Sequence, residues 1–312
     1  MSVKIHFLNV GAGDCTIVDF PERTVHSTGK QKDSRIMMID INDCGPEGEY
    51  TDVLSYYKNH FRKANGSIRS IFRFVCTHPH KDHITGLHRL MEDKEVTVSN
   101  FWDIKNDFYP EDWENDPSPE DWEMYQKIKQ KEIHGLTVLT YDDKTKPKQF
   151  WDDSEDRITI ISPSPELYKQ THYNSDNEKL EGEAVNLNNT PYVLILQINS
   201  VRALFASDAE DVCWQYILKH HSEKIKDIDI LKAAHHGRKN GFYEEAVKLM
   251  NPKHIVFSNS KGYDCDHGAD KKYKKACPNA TIYKTCDLGN IICDVSFEGA
   301  ITFTSAQKKK VT

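Results

Sequence analysis

The chain has 312 residues, 38% hydrophobic and 29% charged, with a formal net charge of −7. That is enough apolar material for a sizeable core, and no 18-residue apolar run is present to cross a membrane. The acidic balance excludes a generic basic nucleic-acid coat, so any phosphate substrate has to be held locally, by metals and a few cationic side chains.

In chain order, residues 3–10 and 15–20 read as strands around the turn Gly11-Ala12-Gly13-Asp14. The N-terminus enters its first strand directly, without the apolar core and cleavage site of a signal peptide. Residues 35–40 form a strand ending in Asp40, and residues 51–63 a helix with Val53, Leu54, Tyr57 and Phe61 on one face. Residues 71–76 are a strand that runs into Thr77-His78-Pro79-His80-Lys81-Asp82-His83, and a helix starts at Ile84. In the less regular stretch 100–180, Pro110-Glu111-Asp112-Trp113-Glu114 is nearly repeated as Pro119-Glu120-Asp121-Trp122-Glu123. Two tryptophans in an acidic frame either dock a protein partner or cap the core from a surface helix. Residues 136–140 and 157–163 read as strands, and the polar run 167–184 as a loop or active-site flap.

A hairpin over 192–198 and 201–206 ends at Ser207-Asp208, and a helix follows over 210–221. The strand 229–234 ends at His235-His236-Gly237. Helices are expected at 243–250 and 270–276, and strands at 254–258, 281–285, 291–297 and 300–304. The expected organisation is one domain over 1–305 with an insertion near 100–135, then a basic flexible tail at 306–312. Eight cysteines form no Cys-x-x-Cys pair, and several sit at strand positions, as in a reduced, cytoplasmic protein.

The chemistry concentrates where apolar strands stop, at Asp40, the 78–83 cluster, Asp208 and His235/His236. His78 and His80 lie on one side of a turn, while Asp82 and His83, at a helix entrance, face a second point. Imidazole and carboxylate ligands suit zinc or manganese, and two such groups suggest two divalent ions. Asp208, just past a strong strand, is the natural carboxylate to bridge them. His235 and His236 point to opposite sides if their strand continues, which favours His235, the first to leave it, as the ligand. Arg238 and Lys239 can neutralise a bound phosphate. His267 reaches substrate only if its polar loop returns over the site.

These residues resemble the metallo-β-lactamase superfamily, through Thr-His-x-His-x-Asp-His with Asp40 before it and Asp208 and His235 after it. The resemblance implies an α/β architecture, an αββα four-layer sandwich of two mixed sheets with helices outside and metals at one sheet edge. Further stretches resemble the ComEC-type branch, named for the hydrolase domain of competence DNA-uptake proteins. They are Leu8 to Asp14, Asn188-Asn189-Thr190, Ile230 to Gly237, and Tyr263 to His267. Departures are Ser207 in place of the usual glycine before the bridging aspartate, Arg238 after His-His-Gly, and Gly268 after the last histidine. Many superfamily hydrolases add another histidine between the first cluster and the bridging aspartate; His88, His134 and His172 are available here, none in a matching context.

The branch implies a freestanding hydrolase that cleaves a phosphodiester, nucleic acid or nucleotide, with a metal-bridging water. Its metal ligands would be His78, His80, Asp82, His83, Asp208 and His235. Asp82 would also orient the water, His267 or His236 would steady the leaving group, Arg238 and Asn189 would contact substrate, and Asp40 would support the site. The alternatives are hydrolysis of another ester, a thioester or a lactam, or a metal-bound scaffold that docks a partner through Trp113 and Trp122.

Overall fold

The computed structural model describes residues 1–25, 29–43, 50–110, 117–146, 151, 156–262 and 268–306. Two large sheets stack face to face. The first has eight strands in the order Ile301–Ser305, Ile291–Ser296, Ser2–Phe7, Thr16–Phe20, Arg35–Ile39, Ile71–Val75, Asn100–Asp103, Thr137–Thr140. It is antiparallel up to Arg35–Ile39 and parallel beyond. The second has six, in the order Thr281–Lys284, His254–Phe257, Ile230–Lys232, Val201–Phe205, Val193–Ile198, Asp156–Ser162. Its first four are parallel and its last two pairings antiparallel.

Alternation of side chains across each strand produces three apolar layers. Between the sheets, Ile5, Phe7, Val75 and Trp102 of the first meet Leu194, Leu196, Phe205 and Val256 of the second. Outside the first sheet, Leu8, Ile17, Met38 and Phe74 pack under helices Val53–His60, Leu87–Met91 and Pro119–Lys129. Outside the second, Ile195, Leu204, Leu231 and Ile255 pack under helices Asp211–Ile225, Glu244–Met250 and Asp270–Ala276. Strands covered on both faces read as continuous apolar runs; Val193–Ile198 is buried at every position but Gln197. The expected αββα sandwich of mixed sheets is therefore present. Asp156 of the second sheet also accepts from Arg35 of the first (2.6 Å), and from Arg23 and Lys32 of a small hairpin (2.8 Å each), an ionic tie between the layers.

The stretch 167–184 is not wholly a loop, because helix Pro165–His172 occupies its first third. Ser164 accepts from the Leu167 amide (3.0 Å), Pro165 supplies the first helical position, and Leu167, Thr171 and His172 face inward. Local capping outweighs the polar composition. The hairpin pairing Arg23–Thr24 with Gln31–Lys32, and the strand Asn100–Asp103, were not expected from periodicity. Among the described residues no helix is long and apolar enough to cross a membrane.

Candidate metal centre

Four strands of the sandwich end at one edge and deliver polar side chains there. Arg35–Ile39 delivers Asp40, and Ile71–Val75 leads into the 77–83 segment. Val201–Phe205 leads to Ser207 and Asp208, and Ile230–Lys232 to His235 and His236. Asp82, His83, Asp208 and His236 each offer a ligand atom within 4.8 Å of the others. His83 Nε2 lies 3.3 Å from Asp208 Oδ2 and 3.7 Å from Asp82 Oδ1. His236 Nε2 lies 3.0 Å from Asp82 Oδ2 and 3.5 Å from Asp208 Oδ2. The His78 ring is 4.0 Å from that of His83 and 4.5 Å from that of His80, centroid to centroid.

The donors are held from behind. Asp40 accepts from the Thr77 amide and hydroxyl (2.7 Å each) and from His83 Nδ1 (2.8 Å). An ionised carboxylate only accepts, so His83 donates to it from Nδ1 and turns Nε2 to the cluster. Ser207 donates to Thr77 Oγ1 (2.7 Å), and His78 Nδ1 lies 3.2 Å from the same hydroxyl. Ser207 has φ 48, the left-handed region that favours glycine, and its hydroxyl supplies a link that glycine cannot.

His78 Nε2, His83 Nε2 and Asp208 Oδ1 are buried without a hydrogen-bond partner. Buried polar atoms are nearly always paired, so a converging unpaired set of imidazole nitrogens and a carboxylate oxygen fits a divalent cation. The charges agree. Burial disfavours the His83 imidazolium, but Asp208, Asp82 and Asp40 outweigh it and raise its pKa well above the usual value. His236 is raised in the same way by Asp208 and Asp14. Burial likewise disfavours the Asp208 carboxylate, yet His236, His83 and His235 hold its pKa well below the ordinary range. His78 is pushed down by burial and by its histidine neighbours, leaving a neutral imidazole suited to ligation.

His235 and His236 do not point to opposite sides. The strand stops at Lys232, and His235, His236 and Gly237 take φ 48, 54 and 83 in succession. This left-handed turn replaces strand alternation, so both Nε2 atoms lie 3.5 Å from Asp208 Oδ2. Only glycine fits the third position, where a Cβ would stand 1.7 Å from the Phe257 ring. His236 is the one within the ligand cluster. His235 gives its Nδ1 to Glu210 Oε1 at 2.9 Å, and Arg238 reaches its Nε2 at 3.3 Å. Burial works against the Glu210 carboxylate, but hydrogen bonds from His235 and Asn188 keep its pKa below the ordinary value.

Asp14, Glu210 and Lys232 belong to the site and were not singled out in the sequence. Asp14 Oδ1 lies 3.5 Å from His236 Nδ1, while its other oxygen accepts from the buried Lys232 ammonium. A lysine in an apolar strand three residues before the histidine turn was the available signal. The Asp14 amide also donates to the Asp82 carbonyl (3.0 Å). It is Asn188, beside Asn189, whose side chain reaches Glu210 (3.2 Å). None of the three candidate extra histidines joins the cluster. His88 bonds Asp121 (2.7 Å), His172 lies against the Asp107 amide (3.3 Å), and His134 is exposed. Trp122 is partly buried and packs edge-on to Phe108 (5.8 Å). His267 and Trp113 lie outside the described residues.

No family model matches the sequence, and no curated protein matches it. Solved structures do. The metallo-β-lactamase fold protein YhfI from Bacillus subtilis aligns over 97% of this chain and 100% of its own, with TM-score 0.50 and 11% identity. Igni18, a metallo hydrolase from the archaeon Ignicoccus hospitalis, aligns over 97% and 100%, with TM-score 0.47 and 14% identity. Human tRNase Z, short form, aligns over 83% and 93%, with TM-score 0.43 and 12% identity. The match to YhfI over its full length, together with the two mixed sheets and their outer helices, shows that the chain has the metallo-β-lactamase fold.

Proposed function

We propose that the protein is a metal-dependent phosphodiesterase that binds two divalent ions, zinc or manganese, at the sheet edge. The observation that carries this reading is the convergence of Asp82, His83, Asp208 and His236 within 4.8 Å, beside the unpaired Nε2 of buried His78. His78 and His80 would hold one ion, Asp82, His83 and His236 the other, and Asp208 would bridge. When bound, such ions supply a nucleophilic water near neutral pH and neutralise charge building on phosphorus. The sequence signatures shared with the ComEC-type branch favour a phosphodiester over a lactam or thioester.

The chain's own groups have separate tasks. Glu210 fixes the proton of His235 on Nδ1, so Nε2, once released by Arg238, takes up a proton from the attacking water and returns it to the leaving oxygen. Arg238, beside Nε2 in this structure, turns to a non-bridging phosphate oxygen. Asp40, Thr77 and Ser207 hold His78 and His83 and exchange no proton with substrate.

The test offers the metal-loaded protein bis-p-nitrophenyl phosphate, single-stranded DNA and a lactam. Turnover of the two phosphodiesters alone is expected, with Asp208→Ala reducing it by about a thousandfold or more. His235→Gln should cost about 10²–10⁴-fold on DNA, whose alkoxide needs a proton, and less on the p-nitrophenyl ester, which loses only the base toward water. Equal losses on both substrates would remove the leaving-group role and leave His235 only as base toward the attacking water. Lactam turnover alone, or no turnover at all, would overturn the phosphodiesterase reading and leave the other hydrolase or scaffold in its place.

A further inference from the structure

A cavity of about 530 Å³ opens beside the metal centre, on the side of His80. Phe108 is the shared wall: it lines the cavity and stands edge-on to His80, with centroids 5.4 Å apart. Trp122 stands edge-on to Phe108, and Tyr109 lies on the same lining, 46% exposed. Met1 and Tyr109 are the large hydrophobic side chains left exposed among the described residues, so the internal one sits at this cavity.

The walls are already fixed. Asn106 donates to Tyr125 Oη (2.8 Å), and the Tyr125 hydroxyl donates to Asp103 (2.9 Å). Lys129 donates to the Asn106 carbonyl (2.8 Å), and Tyr168 donates to Asp107 (2.6 Å). The loop that carries Phe108 and Tyr109 is thus tied to helix Pro119–Lys129 on one flank and to helix Pro165–His172 on the other. The cavity is preformed, and its three rings share the lining with six polar or charged side chains, which can fix the orientation of a small molecule.

The lining selects among occupants. Tyr109 and the partly buried Trp122 offer ring surface to a flat ring, over a floor made by buried Phe108. Gln126 presents a donor and an acceptor in one plane, which matches the hydrogen-bonding edge of a heterocycle. Three aromatic rings with Asp107 and Glu181 also resemble a cage for a quaternary ammonium. Lys129 and Lys179 oppose that cation, and Asp107 is already engaged by Tyr168 and by Lys179 (3.4 Å).

We propose that this cavity receives the nucleobase of a nucleotide whose phosphate lies at the metal centre. The inference rests on the phosphodiesterase reading and names the substrate class of that same site.

Calorimetric titration of the manganese-loaded protein with AMP, ribose 5-phosphate and phosphocholine tests it. AMP is expected to bind about tenfold tighter than ribose 5-phosphate, the gain of stacking one base. Tyr109→Ala and Gln126→Leu should each bring AMP close to the ribose 5-phosphate affinity, and Tyr109→Phe should retain most of the preference. Equal wild-type affinity for AMP and ribose 5-phosphate would overturn the proposal, as would tighter binding of phosphocholine. The comparison needs no turnover, so a protein that prefers AMP but hydrolyses no diester would lose the hydrolase reading and keep the base subsite.

Discussion

His6 shows how one buried side chain sets a pH limit. It lies under helix Val53–His60, with Nδ1 2.8 Å from the Tyr56 hydroxyl and Nε2 buried without a partner. Burial pushes its pKa down to about 4, against a smaller opposing pull from Asp19. The unfolded chain protonates this residue below the usual histidine value, while the folded chain refuses the proton until about 4. Stability from this group is therefore complete above the ordinary histidine range and is lost as pH falls toward the folded value. At pH 5 the loss is about 2 kcal/mol. In His6→Phe, the drop in unfolding free energy between pH 7 and pH 5, read from urea midpoints, should shrink by about that amount. An unchanged drop would show that His6 does not set the limit.

At the scale of elements, the turn after strand Ile230–Lys232 decides the site. Three successive left-handed residues replace strand alternation, and a non-glycine residue held there costs of order 1 kcal/mol or more. The surroundings that hold it include the pair Asp14–Lys232, both buried, with Asp14 facing His236 Nδ1 at 3.5 Å. Burial alone would raise the Asp14 pKa, but Lys232 and then His236 hold it well below the carboxylate range. Lys232→Met leaves that carboxylate buried without its cation and should cost about 3–5 kcal/mol in urea unfolding. Adding Asp14→Asn should restore most of the stability. Metal affinity should stay about 10–100-fold weaker, because His236 has lost the carboxylate that aims it. Full recovery of metal affinity in the double variant would reduce Asp14 to a structural role.

At the scale of the whole molecule, four strand ends bring Asp40, Asp82, Asp208 and two raised histidines to one edge of a low-dielectric sandwich. Without metal, the His83 and His236 imidazolium groups are the counter-charges for those carboxylates. A divalent ion must displace their protons, so binding releases protons and affinity rises with pH. Competition titrations should find zinc or manganese bound more tightly at about pH 8 than at about pH 6. Since the ion binds the folded state, chelation should lower Tm by about 5 °C or more from the saturated protein. A Tm indifferent to chelator and to added ion would argue against a metal centre at this edge.

Local pattern was enough for the strand-to-cluster transitions at Asp40, His78–His83 and Asp208, because an apolar run that stops at a polar group marks a sheet edge wherever the sheet lies. It also located most helices, since a buried face repeats every three to four residues regardless of what covers it. It was not enough for the orientation of His235 and His236, for the partnership of Asp14 with Lys232, or for the tie between Glu210 and His235. Those depend on where one strand's end falls against another: Asp14 and Lys232 are 218 positions apart in the chain, and their carboxylate and ammonium meet only after the sandwich closes. The helix Pro165–His172 lay between these cases, legible from Ser164 and Pro165 at its start but hidden by its polar composition. Sequence spacing specified the donor types, and packing of the two sheets specified which donors face one another, because direction and burial are set by contacts distant in the chain.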